Sequence, residues 1–535
     1  MMRSVLACGL LSACAAAPPN IIFILTDDQD QVLGGSFPTT APDGATPMPQ
    51  TRDLLQARGA MATNAFIHTP VCCPSRAETL TGRYLHNLKT PGRCTMAYDG
   101  FDPATGGACC MHVEEDKVHD ASFVAKLHEA GYATGLFGKY LNFCPGNCSD
   151  ECSGEPIPRA FDTFFGNGGG EYLAPSFAVK NVAGLPDGTY DGADDEYTTA
   201  LVGNRSVAWI RAVVAAAKEP FLAYVAPKAC HDPFVPAPWY ATARPAGWPR
   251  AAPRPPSFNL SAAARARHHA TVAAMGTVTD EVAACIDDDF ANRWRTLMSV
   301  DDVIAALIGE TDALGVTERT FFLFSSDHGY SLGELNLNWD KRNVYDFDTR
   351  IHLLVRGPGI APGRAIAAPL TNVDLAPTIL DMAGIFDYDA GDVDGRSLLP
   401  LLLDDSDDDF MNPSSAWRAD VYIEYTYIGI DGYCGMAEAI ENPDSNFVAI
   451  RRVAGSARRD GIMGERPFLY AKFLNGTDGS VDFSLLDGSQ HEELFYTDDD
   501  PWQMHNVFAN ASAELRAALR AEVERWWTCS GDACP

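Results

Sequence analysis

Residues Ile21-Ile22-Phe23-Ile24-Leu25 form an unbroken apolar run of strand length, and Thr26-Asp27-Asp28-Gln29-Asp30 follows directly. A strand without polar alternation has both faces covered, as in the middle of a parallel sheet with helices on each side. Comparable runs recur at residues 132–137, 220–226, 319–325 and 351–355, the last closed by Gly357-Pro358-Gly359. Helical patterns fall between them at 120–131, 196–218, 262–285, 301–314 and 374–383. In the first of these, Phe123, Leu127 and Ala130 share a face and Gly131 supplies the stop. This alternation predicts a doubly wound α/β core: a large mixed, mostly parallel sheet flanked by helices.

Such sheets bind ligands beyond the carboxyl ends of their strands, so the residues ending each run are the candidate site. Asp27 and Asp28 supply hard oxygen ligands suited to Ca²⁺ or Mg²⁺. Asp327 offers another oxygen, and His328 a nitrogen or polar contact. Lys139, after the 132–137 run, suits an anion clamp, and His231, after the 220–226 run, suits a general acid. Each has a plainer reading: a solvated acidic turn, a snorkelling lysine, a turn histidine. The densest motif is Val71-Cys-Cys-Pro-Ser-Arg-Ala-Glu-Thr-Leu-Thr-Gly82, for which the plain reading is a buried thiol pair in a tight turn. His86, shortly after it, is read as a polar residue at the pocket rim with no role.

A chain of 535 residues exceeds the size of one growing core, so two domains are expected, 18–403 and 410–535. The acidic run Leu403-Asp-Asp-Ser-Asp-Asp-Asp409 marks the boundary, since like charges oppose packing. Beyond it, strands at 420–425, 447–453, 468–473 and 481–486 predict a smaller α+β domain with a four-stranded antiparallel sheet. Its helix, 511–527, carries Leu515, Leu519, Val523 and Trp526 on one face. Residues 31–68 read as loop-rich, and 235–258 as a Pro-, Ala- and Arg-rich surface excursion.

Residues 1–17 read as a signal peptide, with Arg3, an apolar run and small residues for cleavage. The lipoprotein-like box at Leu11-Ser-Ala-Cys14 is outweighed by sequons at Asn147, Asn204, Asn259, Asn475 and Asn510. Export to an extracellular or lysosomal compartment follows, and no later stretch is long and apolar enough to span a membrane. Setting aside Cys8, Cys14 and Cys72 leaves twelve of the 15 cysteines, an even number compatible with disulfides. Disulfides are also favoured over a thiolate metal site at Cys144, Cys148 and Cys152, because Pro145-Gly146 prevents their alignment on a helix. A net charge of −31 excludes nucleic acid as a partner and requires any anionic substrate to meet a locally positive pocket.

Cys72-x-Pro74-Ser75-Arg76 followed by Leu80-Thr81-Gly82 is similar to the signature of the sulfatase family, within the alkaline phosphatase superfamily. The resemblance extends to Leu25–Gly35, Gly138-Lys-Tyr-Leu-Asn142, 293–302, Val355-Arg-Gly-Pro-Gly-Ile360 and 494–503, and is strongest to the family's glucosamine-6-sulfatase branch. It implies an alkaline-phosphatase-like sheet and hydrolysis of sulfate esters, foremost 6-O-sulfate of N-acetylglucosamine-type residues in a sulfated glycan. It further implies that Cys72 is oxidised to formylglycine by a formylglycine-generating enzyme. One Ca²⁺ would be held by Asp27, Asp28, Asp327, His328 and the modified Cys72. Arg76, Lys139 and Lys341 would hold the sulfate and the aldehyde hydrate, and His231 would face the leaving group. Two departures stand out: Leu141 and Asn142 where many members place a His after Gly-Lys, and Ser331 where the branch has His. The rival readings are a phosphatase or phosphodiesterase of the same superfamily, and a non-catalytic glycan-binding relative with unmodified Cys72.

Overall fold

The computed structural model describes residues 17–31, 45–88, 115–141, 144–145, 153–155, 157–245, 247–249, 251–386, 388, 393–403, 417–425, 446–454, 464, 466–474 and 491–534. Ten strands make the main sheet: β1 (Asn20–Thr26), β2 (Ala60–Ala62), β3 (Ala133–Lys139), β4 (Thr163–Asn167), β5 (Ser176–Lys180), β6 (Gly188–Asp191), β7 (Phe221–Ala226), β8 (Thr320–Ser326), β9 (Leu353–Arg356) and β10 (Arg364–Ile366). Their spatial order is β10-β2-β9-β8-β1-β7-β3-β4-β5-β6. The central block β8-β1-β7-β3-β4 is parallel throughout, with antiparallel pairs at both flanks.

The central runs behave as their composition requires. In β1, Ile21, Phe23 and Leu25 enter one buried cluster and Ile22 and Ile24 the other. The first cluster is closed by α1 (Cys72–Thr81), α2 (Phe123–Glu129) and α5 (Leu375–Met382), the second by α3 (Thr198–Ala215) and α4 (Asp280–Ala313). Each such aliphatic side chain, fully buried, contributes about 1.5–3 kcal/mol, which is why these strands occupy the centre.

Several expected boundaries are corrected. Within the loop-rich residues 31–68 the described part holds a helical turn beginning at Pro49, strand β2 and the short strand Ala65–Phe66. The turn is fastened by Asp301, whose carboxylate accepts from the Gln50 and Thr51 amides at 3.0 and 2.7 Å. The expected strand at 351–355 divides: Arg350–Ile351 pairs with Ala65–Phe66, whereas β9 joins the main sheet. Gly138 and Lys139 are the last residues of β3 rather than its exit, in register with Gly166 and Asn167. The two helices expected at 262–285 and 301–314 become two short turns and one 34-residue helix, α4. The acidic Asp287-Asp288-Asp289 does not break it, because Ile286, Phe290, Trp294, Leu297, Val300 and Ile304 keep one face buried through that stretch. The excursion at 235–258 is anchored on α4 by an Arg254–Asp287 contact at 2.6 Å and by Trp248 edge-on to Trp294.

The second sheet comprises β11 (Asp420–Tyr425), β12 (Asn446–Arg452), β13 (Phe468–Leu474) and β14 (His491–Tyr496), antiparallel in sequence order. Its described fourth strand is His491–Tyr496; the strand expected at 481–486 and the acidic run 404–409 lie outside the described residues. One face packs on α6 (Ala513–Trp527) through Leu519, Val523 and Trp526, which also meets Tyr84 and Val373. The other face shares a cluster with Phe234, Tyr330, Tyr345 and Phe347 from the first part of the chain. Among the sequons in the described residues, Asn204, Asn259 and Asn510 are all exposed, and the Asn259 side-chain amide also donates to the Val278 carbonyl at 3.0 Å. Among the described residues no helix is long and apolar enough to cross a membrane.

Candidate active site

Helix α1 opens with Cys72 against the carboxyl ends of β1, β3 and β8. A helix start favours negative charge, and the motif's spacing does the rest. Arg76, one turn after Cys72, donates from Nε to Asp327 Oδ2 at 2.9 Å and lies 3.3 Å from Asp27 Oδ2. Ser75 Oγ donates to the Asp327 carbonyl at 2.5 Å, tying the helix to the end of β8.

After β1 the chain turns through Asp28, a non-glycine residue at φ +57°. That conformation costs on the order of 1–3 kcal/mol, and Arg293 of α4 holds it, donating to the Asp28 carbonyl at 2.5 Å and to Asp30 Oδ1 at 2.8 Å. Lys139 Nζ lies 2.5 Å from Asp27 Oδ2, and Lys341 Nζ 2.7 Å from Asp28 Oδ1. His328 places Nε2 3.3 Å from Cys72 Sγ, with Nδ1 toward the Gly329 carbonyl at 3.0 Å. Cys72 Sγ is 3.6 Å from Asp27 Oδ1. A ring nitrogen of His231 lies within 4.8 Å of donor atoms of Asp27, Asp28 and Cys72. Asp27, Asp28, Cys72, Arg76, Lys139, His231, Asp327, His328 and Lys341, all expected from the sequence, therefore meet in one place; none lies apart.

The electrostatics are those of a buried cationic nest around acids. Burial and Asp27 push the Cys72 thiol up, but Lys139, Lys341 and His328 outweigh them and hold it well below its usual value. Burial and Asp27 raise Asp327 to about 6. Burial would raise Asp27 too, yet Lys139, His231, Arg76 and Lys341 keep it well below the ordinary range. His231 loses stability as a cation through burial and Lys341, but Asp28, Asp27 and Asp232 overcompensate and lift it to about 10. Those carboxylates thus favour the cationic form of the ring. Its Nδ1 is engaged by Asp232 Oδ1 at 2.7 Å.

The donor set also suits a hard cation. Asp28 Oδ2 is buried with no hydrogen-bond partner, and donor atoms of Asp27, Cys72, Asp327 and His328 lie within 4.8 Å of one another. Carboxylate-dominated sets favour Ca²⁺ over softer ions.

Three contributors had been given no role in the sequence reading. Arg293 lay in a matching stretch without any local signal of its contact to Asp28. Asp232 was visible only as the neighbour of His231. Lys228, which donates to the Gly170 carbonyl, rests over the Tyr172 ring at 5.1 Å. Cys73 is disulfide-bonded, so the plain reading of Cys72 and Cys73 as a buried thiol pair does not hold. Cys230, by contrast, is a free, buried thiol raised to about 12 first by burial. It thus stands apart from the even set compatible with disulfides and packs against the Asp28 carbonyl instead.

A family model described as Sulfatase matches residues 19–385. The human (Homo sapiens) N-acetylglucosamine-6-sulfatase is 32% identical over 77% of this chain and 68% of its own length. The goat (Capra hircus) protein of the same name is 31% identical over 98% of this chain and 87% of its own. Among solved structures, a protein in complex with its substrate D-glucosamine-2-N,6-O-disulfate superposes with a TM-score of 0.65, covering 95% of this chain and 97% of that one. At 21% identity that likeness speaks for the fold.

Proposed function

The chain belongs to the sulfatase family and is a sulfuric ester hydrolase, and from that premise we propose that it removes O-sulfate from sulfated glycans, foremost the 6-O-sulfate of N-acetylglucosamine-type residues. The observation that carries the reading is the convergence of Cys72 with three buried carboxylates, three cationic side chains and His231 at the strand ends.

Cys72 Sγ stands in for the oxygens of the aldehyde hydrate made when a formylglycine-generating enzyme oxidises this residue. Such a hydrate, if formed at Cys72, would offer one hydroxyl as a nucleophile toward sulfur and a second whose deprotonation would allow sulfate to leave as the carbonyl re-forms, an exit that a serine or cysteine lacks. A Ca²⁺ held by Asp27, Asp28, Asp327 and His328 would add positive charge against the sulfate oxygens. The remaining work falls to the chain's own groups. Lys139 and Lys341, both kept protonated above the usual lysine range by their carboxylate neighbours despite burial, present fixed positive charge to an anionic ester. Arg76 fixes Asp327 and Asp27 while contributing its own charge. His231 donates a proton from Nε2 to the departing sugar oxygen, and Asp232 holds the ring for that step. The same reading puts the enzyme in the secretory pathway, outside the cell or in a lysosome, in keeping with relatives from Caenorhabditis elegans and Drosophila melanogaster that are described as extracellular sulfatases. It also assigns residues 18–403 to catalysis, with 410–535 as the smaller domain.

The test compares release of sulfate from N-acetylglucosamine 6-sulfate by the wild type and by Cys72→Ala, with 4-nitrophenyl phosphate as a control. Turnover of the sulfate ester that disappears in the folded variant supports the reading. Full activity in Cys72→Ala, or preference for the phosphate ester, refutes it.

A further inference from the structure

A second cluster of ligand-type side chains lies where α1, the turn after it, β11 and the C-terminal segment meet. It comprises His68, His86 and Glu424, whose donor atoms all lie within 4.8 Å of one another, with Glu78 of α1 beside them. His68, Glu78 and Glu424 are buried, and the His86 side chain is 8% exposed. None of the four belongs to the hydrolytic centre.

The hydrogen bonds fix which nitrogens carry protons. His68 Nδ1 faces the Tyr422 carbonyl at 2.9 Å, and His86 Nε2 faces the Cys529 carbonyl at 3.1 Å. Carbonyl oxygens only accept, so both nitrogens are N–H. The opposite nitrogens then point at carboxylates: His86 Nδ1 at Glu424 Oε2, 3.0 Å away, and His68 Nε2 at Glu424 Oε1 and Glu78 Oε1, 3.4 and 3.8 Å away. A lone pair facing a carboxylate is repulsive unless something positive lies between them. Two further protons, or one divalent cation, would balance the two carboxylates equally.

Distance separates these alternatives at His68. Its Nε2 has no hydrogen-bond partner, and 3.4 Å exceeds the usual 2.7–3.2 Å of an N–H···O bond. Two ligands of a common tetrahedral zinc, each bonded at about 2.0–2.2 Å, sit about 3.3 Å apart. The surroundings are also those of metal-binding histidines, whose second ring nitrogen donates to a carbonyl and sets the tautomer. The carboxylates are oriented in the same way. Glu424 accepts from the His86 amide at 2.9 Å and the Tyr422 hydroxyl at 3.2 Å; Glu78 accepts from Thr69 at 2.6 Å and Asn372 at 3.1 Å.

We propose that His68 Nε2, His86 Nδ1 and Glu424 form a zinc site, with Glu78 or water completing the coordination, that fastens the nucleophile-bearing helix to the C-terminal sheet. Imidazole and carboxylate donors favour zinc over the hard cation suited to the hydrolytic centre. Binding would displace any protons held on the two inward nitrogens into solvent. The inference does not depend on the sulfatase reading.

The experiment loads Ca²⁺-saturated full-length protein with Zn²⁺, removes the excess by gel filtration and counts metal per chain; a parallel sample takes Co²⁺. The expected result is one retained zinc, the strong visible absorption of tetrahedral cobalt, and loss of both in His68→Asn and His86→Asn. His86, nearest the surface, provides the variant that retains its fold by circular dichroism if His68→Asn does not. The cobalt spectrum of the wild type provides a readout that needs no variant. Failure of the wild type to retain zinc, a weak octahedral cobalt spectrum, or equal zinc in folded His86→Asn overturns the proposal.

Discussion

Replacement of His231 by Gln isolates the proton-transfer step. The ring is lifted to about 10 by Asp28, Asp27 and Asp232 against burial and Lys341, so below that pH it is an acid with Nδ1 anchored on Asp232. A glutamine keeps an amide near the same place but has no proton to give. General acid catalysis is worth about 10²–10⁴-fold, equivalent to about 2.7–5.5 kcal/mol of barrier. That loss is expected in kcat/KM for a sugar sulfate, whose alkoxide leaving group needs the proton. An aryl sulfate leaves as a stable phenolate and needs little help, so its loss is expected to stay within about tenfold. The assay is kcat/KM for N-acetylglucosamine 6-sulfate and 4-nitrophenyl sulfate with both proteins. Equal losses on the two substrates would refute the acid role and leave His231 as a binding residue.

Other perturbations test the scaffold around that step. A Cβ at Gly138, which has φ +107°, would lie 2.0 Å from the Ala226 carbonyl oxygen. Gly138→Ala is therefore expected to shift the end of β3 and with it Lys139, costing about 100-fold in kcat/KM, read by steady-state kinetics alongside circular dichroism. Arg418 holds Asp374 through two bonds of 2.8 and 2.6 Å in a buried pair. Arg418→Met strands that carboxylate and is expected to cost about 3–5 kcal/mol in urea unfolding. Burial raises the Glu334 carboxyl to about 8 from 4.5. The native state thus keeps a proton that the unfolded chain releases, and stability is expected to fall as pH rises from about 4.5 to about 8, by on the order of 5 kcal/mol. Glu334→Gln should flatten this dependence, measured as unfolding midpoints at about pH 5 and about pH 8.

The sequence was most informative where chemistry and burial coincide. The runs behind Asp27, Asp327 and His231 have no polar alternation, so their place at the sheet centre could be read directly, and the ligand-bearing end followed from the topology rule. Short flanking strands such as β2 and β10, three residues each, carry no usable periodicity. Their pairing is decided by neighbours distant in the chain. The expected helices at 262–285 and 301–314 missed the continuity of α4, whose apolar face stays buried through the acidic triplet between them. Cys230 could not be told from a disulfide half, because its contact, the Asp28 carbonyl, lies 202 positions away in the chain. The His68–His86–Glu424 cluster was equally hidden. His86 and Glu424 are 338 positions apart, and His86 was read as a bystander on the pocket rim.

The central claim is that Cys72 is the precursor of the nucleophile of a sulfatase. Mass spectrometry of the peptide containing Cys72, from protein made in its native host, tests this most directly. The account requires the side chain to have exchanged its CH₂–SH for an aldehyde, reactive toward a hydrazide probe, with sulfate release scaling with the converted fraction. An intact thiol at Cys72 in protein that still hydrolyses the sulfate ester would contradict it.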